Sequence, residues 1–403
     1  MKFFKVISLG EAKRRIKENL DVYGRTETVP LESAAGRRAA VDITASECLP
    51  EYDRSTVDGY AVKASTVYGA SDAAPSLLKL AGKVEIGVVG GAELKVGEAV
   101  YVPTGGAVPK GADAMVMLEY AEIFGENLAV YKPQAVFENI IKAGDDVRSG
   151  DVILKKGARI NTLNSGLLAA LGVSEIKAVK PLEIAVISTG DEIVGINEKT
   201  QIGQIRDTNS TLISALCKEN GFKVVSEARI KDGFEPLDNA LRQGVEAADI
   251  VLISGGSSIG TRDYTEQVLE KSGEIFIHGI ALKPGKPTLA ARVGGKLVLG
   301  LPGHPMACLL TLKLLVIGAI DELYGNVKDK CVIAEAEINF PSSPGRLTVQ
   351  PVSLKLKGDN IFATPLFYKS GLVSTLAEAD GYALIPSECE GVAKGEKLKI
   401  YLL

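Results

Sequence analysis

The sequence predicts a multidomain α/β plus β protein, on three observations. From Glu183 to Gly325 short apolar runs alternate regularly with helical segments, the pattern of a doubly wound parallel sheet covered on both faces. On either side the texture changes to short apolar runs separated by Gly/Pro turns, the signature of small β domains. The chain has 403 residues, more than one compact domain usually holds.

Residues 1–22 read as a helix, with Ser8 as N-cap and Glu11 three residues on as its capping-box partner. Leu31 to Ala40 is rich in small residues. From about Pro50 to Lys142 the expected strands are 84–89, 99–102, 114–118 and 128–131, a small barrel or sandwich. Residues 163–171 form a short apolar helix closed by Gly172, so a helical region resumes after a β insertion. In the α/β region strands are expected at 184–187, 223–225, 249–253, 275–277, 287–290 and 297–299. Helices are expected at 209–219, 235–247 and 264–272, with a long apolar one after Pro305. Strands at 332–338, 347–350 and 397–401 close the chain. The composition breaks place one discontinuous domain at 1–49 and 144–180, an inserted β domain at 50–143, the α/β domain at 181–326 and a C-terminal β domain at 327–403.

Composition excludes several functions. Lys and Arg number 46 against 50 Asp and Glu, a formal net charge of -4, which is no footprint for coating nucleic acid. Hydrophobic residues at 46% and charged residues at 24% exclude a disordered chain. Cys48, Cys217, Cys308, Cys331 and Cys389 are scattered without paired spacing, which predicts free, mostly buried thiols in a reducing compartment. The N-terminus lacks a secretory pattern, and Met306 to Ile320 is too short and too interrupted to span a bilayer. A cytoplasmic protein outside the membrane is expected. With 2 His and 43 Gly, the working groups are expected to be carboxylates, lysines and backbone amides.

Ligands of an open parallel sheet bind outside the carboxyl ends of its strands. Four Gly/Pro-rich loops fall there: Ser188-Thr-Gly-Asp-Glu192, Ser254-Gly-Gly-Ser-Ser-Ile-Gly-Thr-Arg-Asp263, Lys283-Pro-Gly-Lys-Pro287 and Gly300-Leu-Pro-Gly-His-Pro305. One such loop is ordinarily a turn; four on one rim mark a site. Ser188, Thr189, Ser254, Gly255, Gly256, Ser257 and Ser258 offer hydroxyls and free amides for an anion. Lys283 and Lys286 place two ammonium groups near one spot. Asp191, Glu192, Asp232 and Asp263 supply carboxylates, which beside phosphate-binding amides suit Mg²⁺; Asp263 reads equally well as the N-cap of the helix from Tyr264. Neither a Walker motif nor a Rossmann fingerprint is present, and Pro302, His304 and Pro305 lie at a strand-to-helix turn without the nucleophile of a triad. The residues define an α/β domain for a phosphorylated or anionic ligand and leave the reaction open.

The ordered set of strings resembles the MoeA family of molybdenum-insertion enzymes, whose animal relative is the E domain of gephyrin. It comprises Asp58-Gly-Tyr-Ala61, Pro103-Thr-Gly-Gly106, Gly144-Asp-Asp-Val147, Gly203-Gln-Ile-Arg-Asp-Thr-Asn209, Pro344-Gly-Arg346 and the four rim loops, running almost end to end. The resemblance implies an elongated first domain interrupted by a β domain, a MogA-like α/β domain, a C-terminal β-barrel and a homodimer. It implies a reaction in which molybdate and adenylylated molybdopterin give AMP and metal-loaded pterin, supplied by a MogA-like adenylyltransferase partner. It would make Glu192, Asp232 and Asp263 acidic site residues, Glu192 and Asp263 holding Mg²⁺, and Lys283 and Lys286 the groups that bind phosphate or oxyanion. Ser254, Gly255, Gly256, Ser257 and Ser258 would hold the pterin phosphate or nucleotide. Asp58, Thr104 and Asp146 would come from the first two domains, Asp58 across the dimer, and Arg346 and Ser370 from the last. The chain departs from the family around Lys369-Ser-Gly371, and at His304, where the family often has Asn, which bears on molybdate against tungstate. The alternatives are a gephyrin-type scaffold or a MogA-like adenylyltransferase; the intact acids and lysines favour the enzyme over the first, the flanking domains disfavour the second.

Overall fold

A computed structural model describes residues 6–89, 93–255, 264–325, 330–367 and 373–403. The chain divides into two compact units. One comprises residues 1–41, 156–161 and 175–403, the other 42–155 and 162–174.

The first unit is built on a six-stranded sheet in the order Lys223–Ile230, Glu183–Thr189, Ile250–Ser254, Lys296–Leu301, Leu289–Val293, Glu274–His278. The first four are mutually parallel. Leu289–Val293 runs antiparallel to both neighbours, which corrects the expectation of an all-parallel sheet. The reason is local: Gly294 and Gly295, both at positive φ (57° and 79°), make the two-residue hairpin turn that left-handed backbone allows.

Alternation along the central strands divides the core. Ile184, Val186, Ile250, Leu252, Leu297 and Leu299 face one layer, with Ile213 and Leu216 of helix Thr208–Glu219 and the apolar residues after Pro305. Ala185, Ile187, Val251, Ile253 and Val298 face the other, with Leu237 and Leu241 of Phe234–Ala247 and Val268 and Leu269 of Tyr264–Ser272. Both faces are therefore dry, which is why these strands read as continuous apolar runs. The apolar helix predicted after Pro305 runs as Pro305–Thr311, a π-helical segment Leu312–Ile317, and Gly318–Leu323.

Around this sheet lie the first helix, Leu9–Glu18, and a barrel. Ser8 caps the helix, accepting from the Glu11 amide at 3.2 Å, while Ala12 and Ile16 are buried in the same core layer. The barrel closes through five strands. Leu347–Lys357 pairs with Asn360–Pro365 and with Gly381–Ile385; Cys331–Ala336 pairs with Asn360–Pro365 and Lys397–Leu402; and Gly381–Ile385 pairs with Lys397–Leu402. Leu282–Lys283 adds to it in parallel with Leu347 and Thr348.

The second unit holds another six-stranded sheet, ordered Ala114–Met117, Gly59–Val62, Glu98–Val102, Ser76–Lys83, Asn127–Val130, Ala121–Phe124. Its edge strands are joined by Leu118–Tyr120 alone. Three residues reach only about 10 Å, so the sheet curls back on itself. The strand expected at 84–89 is corrected: the pairing strand is Ser76–Lys83, and Ile86-Gly87 is an exposed turn. The run is apolar through Ile86, Val88 and Val89, yet all three are exposed, so it has no sheet face to bury.

Among the described residues no helix is long and apolar enough to cross a membrane. The five cysteines are free; Cys217 and Cys308 are buried, Cys48 and Cys389 half-buried and Cys331 exposed, so fewer are buried than expected.

Candidate functional site

The chain runs from Glu183–Thr189 outward to Lys223–Ile230, then back across to Ile250–Ser254. The crossover helices Thr208–Glu219 and Phe234–Ala247 consequently lie on opposite faces. The order reverses between Glu183–Thr189 and Ile250–Ser254, and in such sheets ligands bind at the carboxyl ends of the strands where the order reverses. Ser188 and Ser254 are register partners at that point, and Ser254 pairs onward with Leu301.

The groups lining the switch point fall into hydrogen-bonded sets. Thr189 Oγ1 donates to Asp232 Oδ1 at 2.7 Å, and the Asp232 amide donates to Asp191 Oδ1 at 3.3 Å. Thr189 is buried, whereas Asp191, Glu192 and Asp232 are exposed. Asn209 Nδ2 donates to Ser254 Oγ at 2.6 Å and to the Gly303 carbonyl at 2.8 Å. Among the described residues, Ser188 Oγ and Asn209 Oδ1 are buried without a hydrogen-bond partner, and such groups normally find one in ligand or water. Gly255 has φ 102°, and a Cβ there would stand 2.1 Å from the Thr189 carbonyl oxygen. Only glycine fits where the backbones pass so closely.

The lysine loop is placed by a different device. Leu282–Lys283 belongs to the α/β region in sequence but pairs with Leu347 and Thr348 of the barrel, and the Leu347 amide donates to Ala281 O at 2.9 Å. This pairing sets Lys283 Nζ against Ser343 Oγ, while the Arg346 amide donates to Ser343 O at 3.2 Å. Lys283 is thus held against the turn that carries Ser343 and Arg346. Lys283 is exposed, and Lys286 and Arg346 are half-buried. Pro302 is buried, His304 is exposed at the N-cap position, and Pro305 is the first helical residue. Gly256, Ser257, Ser258, Asp263 and Ser370 lie outside the described residues.

In the second unit Asp58 Oδ1 accepts from the Thr104 amide at 2.9 Å, so the Asp-Gly-Tyr-Ala and Pro-Thr-Gly-Gly strings meet. Asp146 is exposed on a separate turn, its amide donating to Leu49 O at 3.1 Å.

Two alternatives within the first unit are weaker. Burial pushes the Cys308 thiol up to about 12, opposed by its hydrogen bond with Ser254, and burial likewise raises Cys217 to about 12; neither is a nucleophile at neutral pH. A concavity at the amino ends of the strands, lined by Arg37, Arg38, Lys180, Leu182, Phe222 and Tyr324, has its guanidinium groups already engaged. Arg37 pairs with Glu27, and Arg38 pairs with Asp321 and covers the Tyr324 ring. Asn209 and Ser343 were not singled out from sequence; their roles depend on partners far along the chain.

A switch point edged by buried hydroxyls and exposed carboxylates, with a lysine loop on the same domain, defines an α/β enzyme for an anionic ligand. Three family models match: the MoeA N-terminal region (domains I and II) over residues 7–172, a probable molybdopterin binding domain over 185–322, and the MoeA C-terminal region (domain IV) over 334–403. The chain belongs to the MoeA family and is a transferase of molybdenum cofactor biosynthesis. It is 33% identical over 405 residues to the molybdopterin molybdenumtransferase of Haemophilus influenzae, covering 98% of each chain. It is 30% identical over 406 residues to that of Bacillus subtilis, covering 98% of this chain and 94% of the relative. A crystal structure of a molybdopterin biosynthesis MoeA protein from Pyrococcus horikoshii matches with TM-score 0.82 and 35% identity over 99% of both chains. Another from the same organism matches with TM-score 0.87 and 29% identity, over 99% of this chain and 100% of that one.

Proposed function

We propose that the chain inserts molybdate into adenylylated molybdopterin and releases AMP. The observation that carries this reading is the switch point, where Ser188 and Ser254 are register partners and offer hydroxyls to phosphate-sized groups; Lys283, set against Ser343 by strand pairing with the barrel, supplies positive charge. Cleaving a phosphoanhydride demands that combination, because the bond breaks in line while charge builds on its oxygens.

Ser188, Thr189 and Ser254, the Gly255 backbone and residues Gly256, Ser257 and Ser258 bind the phosphate and nucleotide portion. Pro302, His304 and Pro305 form the adjoining wall. Lys283, Lys286, Arg346 and Ser370 bind molybdate, with tungstate as the competing oxyanion. A molybdate oxygen attacks the phosphorus of the AMP group and the pterin phosphate leaves; the Mo–O bond then breaks as the dithiolene sulfurs take the metal, and the oxygen departs with AMP. Asp232 orients the Thr189 hydroxyl, which it accepts at 2.7 Å. Asp58, Thr104 and Asp146 contribute substrate contacts in a homodimer, and an adenylyltransferase of the MogA type supplies the substrate.

The donors suit Mg²⁺. They are hard oxygens, Glu192 and Asp232 are exposed, and among the described residues no three His, Cys, Asp or Glu side chains form a cage. Mg²⁺ keeps several waters and takes phosphate oxygens with one or two carboxylates. Glu192 and Asp263 would hold it. Bound there, it would offset charge on the phosphate oxygens.

The test is AMP release from adenylylated molybdopterin with Mg²⁺, with and without molybdate. Release that requires molybdate supports the reading; equal release without it, or none, ends it.

A further inference from the structure

We propose that Asn209 is a positioning residue of this site, its carboxamide tying the end of strand Ile250–Ser254 to the loop after Lys296–Leu301. What the site binds is taken from the functional reading above; the tie itself is geometric.

Asn209 occupies the first turn of Thr208–Glu219, a helix already capped by Asp207, whose Oδ1 accepts from the Ser210 amide at 3.0 Å. The Asn209 side chain is therefore not needed to start the helix. Its amide nitrogen carries two hydrogens, and both leave the helix. One goes to Ser254 Oγ at 2.6 Å, the other to Gly303 O at 2.8 Å. Ser254 is the last residue of its strand, and Gly303 lies just beyond the end of Lys296–Leu301.

A Cβ placed on Gly303 would have the Gly255 Cα as a neighbour at 3.8 Å, and one on Gly255 would strike the Thr189 carbonyl oxygen. Backbone passes close to backbone at Gly255, and the carboxamide joins Ser254 to Gly303 beside it. The arrangement leaves Asn209 Oδ1 buried without a partner among the described residues, a cost that a purely structural residue would not keep, since a smaller or apolar side chain would avoid it. Aspartate cannot substitute: as a carboxylate it has no N–H to give.

Asn209→Ala and Asn209→Asp are compared with Ile213→Ala. Ile213 lies one turn along the same helix, fully buried in the core and away from both loops. Each protein is measured for AMP affinity by calorimetry, for KM and kcat in molybdate-dependent AMP release, and for melting temperature. Both Asn209 variants are expected to weaken AMP binding and to lower kcat/KM by tenfold or more. Ile213→Ala is expected to melt lower while its AMP affinity stays within threefold of the parent. The proposal is overturned if the Asn209 variants bind and turn over within threefold of the parent, or if Ile213→Ala loses as much affinity. Failure of both Asn209 variants to fold overturns it as well, because the residue is then structural. If the parent binds AMP but shows no molybdate-dependent release, the functional reading fails, and the affinity comparison still decides the role of Asn209.

Discussion

The switch point and the lysine loop are two halves of one proposed site, built on opposite principles. Ser188, Thr189, Asn209 and Ser254 are buried, short and neutral, the last three hydrogen-bonded through their side chains, and backbone passes close to backbone at Gly255. Lys283 and Arg346 carry charge on long side chains, and strand pairing with the barrel places them. The difference teaches where each half is vulnerable. A half made by close packing should fail through steric and hydrogen-bond errors; a charged loop should fail through loss of charge, with the fold intact.

The largest effect is expected on the packed side. Gly255→Ala puts a methyl against the Thr189 carbonyl and forces an L-residue to positive φ. It should cost about 3 kcal/mol or more and abolish turnover, as thermal melts and AMP release would report. Lys283→Ala comes next. Removing one preorganised donor for developing anionic charge should cut kcat about 10²- to 10³-fold, with the melting temperature unchanged to within a degree or two. Equal destabilisation by the two substitutions would erase the contrast.

A smaller effect concerns pH. Burial raises the thiols of Cys217 and Cys308 from about 9 to about 12 in the folded protein. The neutral thiols belong to the folded state, so their contribution is complete below pH 9 and is lost as pH rises toward 12. Cys217→Ala with Cys308→Ala should flatten the alkaline limb of a stability–pH curve measured by urea unfolding; an unchanged slope would contradict this. The smallest effect is expected at His304, exposed and without a side-chain cap bond. His304→Asn should shift stability by less than about 0.5 kcal/mol and alter the ratio of molybdate- to tungstate-driven turnover by only a few-fold.

Sequence made the α/β layer legible because its strands are dry on both faces and cannot be confused with half-exposed ones. It also located the rim, since Ser188, Ser254 and Leu301 end parallel strands whose direction follows from the alternation. It was blind where pairing depends on a turn. The antiparallel Leu289–Val293 follows from Gly294-Gly295, and three exposed apolar residues imitated a strand at 84–89. Asn209 was visible as part of Asp207-Thr-Asn209 but not as a bridge. Its partners lie 45 and 94 residues away, and only folding brings them to one amide. Ser343 was hidden for the same reason, its contact with Lys283 spanning 60 residues.

The central claim is that anhydride cleavage and oxyanion insertion are one coupled event on this rim. Titrating molybdate into the wild-type protein with adenylylated molybdopterin and Mg²⁺, and measuring AMP released and molybdenum bound to pterin in the same samples, tests it most directly. The account predicts that the two rise together, one for one, from a baseline near zero. AMP release that runs ahead of molybdenum incorporation, or proceeds equally at zero molybdate, would contradict it.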